Sequence, residues 1–225
     1  MATQLSISDT ASLKLYLERI TTYRDHSVEI QRFYGYRDFN DQPEQFRLVR
    51  WLYTRAWLST ERPIILFDLV TARLVEKKIL LPGVTVLTKL IAQVRDRASA
   101  RIWRFLAKLP SSEQRIRLDA LLLVPEGSRV STLDRLRRAP TRISSPSMTD
   151  ALDRLAEIRS LGGQSVDVGR LPLCRVNALA RFAAATRAAN IARMPLDRRI
   201  ASLIAFAHIY EGVPKTMPLT CLTRG

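Results

Sequence analysis

The stretch VTVLTKLIAQVRDRASARIWRFLAK (84–108) decides the fold class. Leu87, Leu90, Ile91, Val94, Ala98, Ile102 and Phe105 recur at the intervals that line one face of an α-helix, so these side chains are expected to point inward. Thr85, Thr88, Lys89, Gln93, Arg97, Arg101 and Arg104 fall between them and face outward. That outward face is cationic and hydrogen-bonding along its whole length.

The same period continues on both sides. Upstream, helices are expected at 12–19, at about 21–33 with Gly35 as the stop, and from Pro43, where Phe46, Val49 or Arg50, Tyr53 and Trp57 read as a core stripe. A further helix starts at Pro63, with Ile65, Leu66, Leu69, Val70 and Leu74 on one face. It ends at Lys77 and Lys78, where the helix dipole favours cations, and ILLPG (79–83) turns the chain into the segment quoted first. Downstream, Ser111 or Ser112 caps a helix to about Leu123 and Ser131 caps another to about Arg138. Helices at about 148–161, 173–193 and 196–210 follow. Two-residue alternation is scarce and the chain has only 8 Gly, so the expected class is all-α, a multi-helical bundle with helix-turn-helix-like character.

With 225 residues, 47% apolar and 25% charged, the chain has ample material for a core, and intrinsic disorder is excluded as its main state. It carries 36 Lys plus Arg against 21 Asp plus Glu, a net +15 that favours a polyanionic partner over an acidic substrate. Arg supplies 30 of the 36, and its planar fork suits phosphates and guanine edges. A GC-rich genome also raises the arginine count, but it leaves the net charge unexplained. The excess is local: residues 1–61 hold 8 basic and 8 acidic side chains, whereas 86–142 hold 13 and 5.

Cys174 and Cys221 lie far apart without a CxxC, so neither a disulfide framework nor a zinc site is indicated, and a reducing cytoplasm fits. The opening MATQLSISDT lacks the basic and apolar regions of a signal peptide, and no apolar run approaches a membrane span. The Pro- and Ser-rich APTRISSPSM (139–148) is the linker candidate. It divides a helical DNA-binding region at 1–140, with a helix-turn-helix-like unit at 63–104, from a second helical region at 141–211. An irregular tail occupies 212–225.

The unit 63–104 reads as helix, turn, helix, with the second helix presenting polar side chains near its start, as major-groove recognition requires. Lys77, Lys78, Thr85, Thr88, Lys89, Gln93, Arg97, Arg101 and Arg104 are the candidate DNA-binding residues. Its turn is longer than in the tight form of the motif, and basic helix faces are usually only solvated. Catalytic patterns are missing: the two histidines, His26 and His208, stand apart, and no GxSxG, HExxH or phosphate-cradling GxxxxGK occurs. Asp150, Asp153 and Glu157 share helical spacing, but Arg154 sits among them and carboxylates at a helix start serve the dipole. No catalytic residue, metal or cofactor is expected.

Five blocks, in order, carry a resemblance. YRDHSVEIQRFYGYRDF (23–39), KKILLPGVTVLTKLIAQVRDRA (77–98), LDALLLVPEGSRVSTLDRLRRAP (118–140), LAEIRSLG (155–162) and MPLDRRIASLIAFAHIYE (194–211) resemble the N-terminal region of the Tn-three-type transposases, the large enzymes of bacterial replicative transposons. The likeness runs over about 12–211. It implies helical DNA-binding domains that recognise the transposon's terminal inverted repeats, double-stranded DNA as partner, and a cytoplasmic, nucleoid-associated location. It also implies that strand transfer belongs to an Asp, Asp, Glu triad on a domain without counterpart in this sequence, so that the chain alone is silent. The likeness ends after Glu211, and GVPKTMPLTCLTRG (212–225) looks frame-shifted, so a truncated or decayed copy is the expectation.

The alternative is an interaction or dimerisation module, in which the region of Trp51, Tyr53 and Trp57 and the helix from Leu173 pack on a second copy or on an intact transposase. Charge placement separates the two readings. Cations of 86–142 on one surface favour DNA, and a large exposed apolar patch favours a protein partner.

Overall fold

The computed structural model describes residues 20–40, 42–138 and 145–212. The helix expected at 12–19, most of the linker candidate (139–144) and the tail from 213 onward lie outside the described residues. Within them are α1 (Ile20–Tyr34), α2 (Gln42–Leu58), α3 (Pro63–Glu76), α4 (Val84–Lys108), α5 (Ser112–Ala120), α6 (Thr132–Leu136), α7 (Ser145–Ser160), a 3-10 turn (Gly163–Ser165), α8 (Leu173–Ala185), α9 (Ala188–Ala192) and α10 (Leu196–Glu211). Extended pairing among the described residues is limited to an isolated bridge between Arg37 and Ile79. The protein is all-α.

The helices gather into two compact units. One comprises Met1–Arg50 and Pro63–Leu90, the other Trp51–Arg62 and Ile91–Gly225, so α2 and α4 each contribute to both. In the first unit two helix ends carry the same backbone motif. After α1, Gly35 adopts φ 70° while its N–H bonds Arg32 O and that of Tyr36 bonds Gln31 O. After α3, Lys78 adopts φ 52°, with the equivalent bonds from Lys78 to Val75 O and from Ile79 to Leu74 O. Arg37 then pairs with the segment after α3, its N–H to Lys78 O at 2.8 Å and Leu80 N–H to its carbonyl at 2.9 Å. The Arg37 guanidinium also bonds the buried Glu44 carboxylate and Lys77 O. Among its described residues, Phe39, Leu48, Leu66, Val70, Leu74, Ile79 and Leu87 are the unit's buried apolar side chains.

The second unit is built round α10, which packs on α8, the 3-10 turn, α7 and α5. Every residue from 201 to 207 on α10 is buried, an arrangement open only to a helix with neighbours on all sides. Gly163 makes one of these approaches possible, since a Cβ there would stand 2.5 Å from the backbone of Ala207 and His208. Shorter helices are fixed by their caps. Ser111 and Gln114 form a reciprocal capping box on α5, and Ser131 Oγ accepts the Asp134 N–H at 3.1 Å on α6.

The structure corrects three expectations. The buried ladder of α2 is Leu48, Leu52 and Ala56, not the aromatic stripe one position round the helix; Phe46 is 68% exposed, and Tyr53 and Trp57 are half-buried and stack on each other. Small aliphatic side chains let the backbone approach the core, and the larger rings cover its margin. On α3, Leu66, Val70 and Leu74 are buried but Ile65 is exposed. The single helix expected at 173–193 is broken at Thr186 and Arg187, both extended, because the Arg137 guanidinium donates to the carbonyls of Ala183, Ala184 and Thr186 and so caps α8 from another part of the chain.

Candidate nucleic-acid interface

The helix α4 spans the segment expected from periodicity, Val84 to Lys108, and carries six basic side chains and one acid, Asp96. Leu87, Ile91, Val94, Ala98 and Ile102 are buried as expected, Leu90 and Phe105 are half-buried, and Leu106 joins the core. All nine candidate residues are exposed. Thr85, Lys89, Gln93, Arg97 and Arg101 follow one another at four-residue steps and so form a ladder winding along one side of the helix. From Thr85 to Arg101 the rise is about 24 Å.

The nine are not equally free. The side chains of Thr85, Lys89, Gln93 and Arg97 have no hydrogen-bond, ion-pair or ring partner among the described residues. Thr88 lies off the ladder, and its Oγ1 stands 3.0 Å from Val84 O and 3.1 Å from Thr85 O. Its proton therefore serves the helix backbone, leaving the oxygen as an acceptor, which a phosphate cannot use. The Arg101 guanidinium rests 5.6 Å from the centre of the Trp57 ring, and Arg104 Nε donates to Ala100 O at 3.4 Å. Lys77 pairs with Glu76 at 3.2 Å, and Lys78 Nζ donates to Tyr34 O at 3.3 Å. Periodicity located the exposed side of the helix, but these ties become visible only once the chain is folded.

The positive excess of 86–142 is likewise less free than a charge count suggests. Arg115 donates to Ala107 O at 2.8 Å, Arg117 to Ser160 O at 3.0 Å, Arg135 takes both oxygens of Glu157 at 2.6 and 2.7 Å, and Arg137 holds the end of α8. These guanidinium groups are scaffold. Arg175, half-buried, also works internally: it donates to Ser59 O and Ser99 Oγ, and burial pushes its pKa down. Within 86–142 the exposed cations without a partner among the described residues are Lys89, Arg97 and Lys108 on α4 and Arg129 and Arg138 beyond it; others, such as Arg170, Arg181, Arg187 and Arg193, lie later in the chain.

Other candidate groups have structural roles. Glu157 is occupied by Arg135, so the Asp150, Asp153 and Glu157 series forms no shared site, and the described residues contain no metal-binding group of His, Cys, Asp or Glu. His26 lies 3.7 Å from Glu29 on exposed α1, and His208 Nδ1 is 2.9 Å from Gly163 O. No helix among the described residues is long and apolar enough to cross a membrane.

A surface helix with a free polar and cationic ladder on a small all-α scaffold fits the class to which the sequence blocks pointed. The chain belongs to the Tn-three-type transposases. Residues 1–94 match a family described as a domain of unknown function, DUF4158. The chain is 44% identical over 211 residues to the transposase for transposon gamma-delta of Escherichia coli (strain K12), a match covering 94% of this chain and 21% of that protein. It is 29% identical over 192 residues to the transposase for transposon Tn3926 of Escherichia coli, covering 85% and 19%. Over 82 residues it is 46% identical to the transposase for transposon Tn4556 of Streptomyces fradiae, covering 36% and 9%. The chain thus spans about a fifth of the length of the first two curated relatives.

Proposed function

We propose that this chain is a recognition module for transposition: it binds double-stranded DNA at the terminal inverted repeats of a transposon and leaves strand transfer to a catalytic part beyond it. The observation that carries this reading is the ladder Thr85, Lys89, Gln93, Arg97 on α4, whose donors are exposed and unclaimed within the described chain. Lys89 and Gln93, in the first half of the helix, reach base edges in the major groove. Arg97, Arg101 and Arg104 meet backbone phosphates. Thr85 adds a hydroxyl and a methyl at the helix start, and Lys77 and Lys78 add charge just before the turn.

The experiment is a binding titration of the whole chain against a duplex carrying the gamma-delta terminal repeat and a scrambled duplex of equal composition. Preference for the repeat, with affinity falling by orders of magnitude between about 50 and 200 mM salt, is the expected result. Equal binding to both duplexes removes the specific reading, and a flat salt response removes phosphate neutralisation. A second reading, an interaction module, is favoured by Ile30, Phe33 and Tyr34, exposed together near the end of α1, with Phe33 at 83%. Concentration-dependent self-association without DNA affinity would select it.

A further inference from the structure

We infer that Arg198, on the first turn of α10 in the second unit, is a preformed contact for a DNA backbone phosphate. This inference rests on the DNA-binding reading and adds to it a site away from the α4 ladder. The Arg198 guanidinium lies over two aromatic rings, 5.0 Å from the centre of Trp103 and 4.9 Å from that of Phe182. Cation–π contact with two rings holds the group in place without using its N–H donors. Arg198 Nε is buried, but the residue as a whole is only partly so, and neither terminal nitrogen has an ion pair or hydrogen bond among the described residues, so these are the donors open to a phosphate.

The neighbouring arginine sharpens the contrast. Arg199 Nε lies within ion-pair distance of Asp119 Oδ1, 3.1 Å, without hydrogen-bond geometry, and its terminal nitrogen donates to Ala192 O, so the carboxylate beside this turn faces Arg199. Asp197, the acid of the turn itself, lines a recess together with Asp119, Lys108 and Arg115. Pro195 precedes the helix with no side-chain cap, so the positive end of the α10 dipole adds to the same region. A guanidinium held rigid by two rings has lost its rotamer freedom before binding, which removes the ordering cost that an exposed arginine incurs on meeting a phosphate. By contrast, the Arg137 guanidinium donates to three backbone carbonyls and that of Arg115 to one.

The test uses the whole chain with Arg198→Gln, Arg198→Lys and, as control, Arg199→Gln, titrated with the gamma-delta repeat and scrambled duplexes from about 50 to 200 mM salt. Arg198→Gln should weaken binding to both duplexes alike and reduce the slope of log affinity against log salt by about 0.9, the value of one phosphate contact. Arg198→Lys should keep the slope while losing part of the affinity, since it retains the charge and not the fork. Arg199→Gln should lower Tm and leave the slope unchanged. An unchanged slope in folded Arg198→Gln, with the wild-type chain binding normally, overturns the assignment of Arg198 alone. Failure of the wild-type chain to bind either duplex overturns the DNA reading and this inference with it.

Discussion

Helices α4 and α10 are both amphipathic by sequence, yet they are placed in opposite ways. Along α10 seven consecutive residues from Ala201 to Ala207 are buried, including Ser202, whose hydroxyl donates to Arg198 O at 2.8 Å and so causes no unsatisfied polar group. Along α4 burial returns every three or four residues from Leu87 to Leu106, with Ala107 beside the last, and the opposite face keeps donors that nothing in the described chain claims. The difference lies in the residues of the outer face. Alanine and serine close to their neighbours on α10, whereas lysine, glutamine and arginine on α4 could not be buried without partners. One helix supports the unit, and the other is left available to something outside it.

The sharpest way to break this comparison is to attack α10. Phe206→Ala removes a fully buried ring that packs 4.6 Å from Tyr210, and should cost about 3–5 kcal/mol in urea unfolding. A loss below about 1 kcal/mol would show that α10 is not the pillar of its unit. Gly163→Ala forces a methyl group against the α10 backbone and should cost about 2–3 kcal/mol by the same measurement.

On α4 the pattern should reverse, with stability kept and affinity lost. Lys89→Ala and Gln93→Ala should each weaken binding to the transposon-end duplex by about 1–3 kcal/mol, with little effect on scrambled DNA and a stability change within about 0.5 kcal/mol. Arg97→Ala should weaken both duplexes equally. If Arg97→Ala altered sequence preference while Gln93→Ala did nothing, the direction in which α4 enters the groove would be reversed.

The smallest effect expected is at Tyr210. Its hydroxyl is buried without a partner, and burial raises the phenol pKa. The folded chain therefore holds this proton to higher pH than the unfolded chain. The associated stability is complete below the ordinary tyrosine value of about 10 and is lost as pH climbs through the raised folded value. Tyr210→Phe should leave stability equal or slightly higher at neutral pH and flatten its fall above about pH 10, read by thermal melts across alkaline buffers.

Much of the architecture was legible in the sequence where a helix carries its own signals. The bounds of α4 followed from apolar period, and the caps at Ser111 and Ser131 from local chemistry. What escaped was set by distant groups. Nothing near Thr186 announces a helix end, because the group that stops α8 is Arg137, 49 residues earlier. The free ladder could be read from spacing, but the tying down of Thr88, Lys78 and Arg101 by neighbouring atoms could not. Arg198 sits one residue from another arginine in a basic helix start, and only the folded structure separates the paired side chain from the unpaired one.

The paired helix ends of the first unit carry one more lesson. Gly35 and Lys78 occupy the same left-handed slot of the same motif, one without a Cβ and the other with it. For an L-residue that conformation is strained by about 1–2 kcal/mol, so a chain optimised only for the durability of its fold would repeat the glycine. The lysine instead spans to the carbonyl of Tyr34 and brings charge to the threshold of α4. An engineer hardening this scaffold would reach first for Lys78→Gly, and should obtain a tougher protein with a weaker hold on DNA.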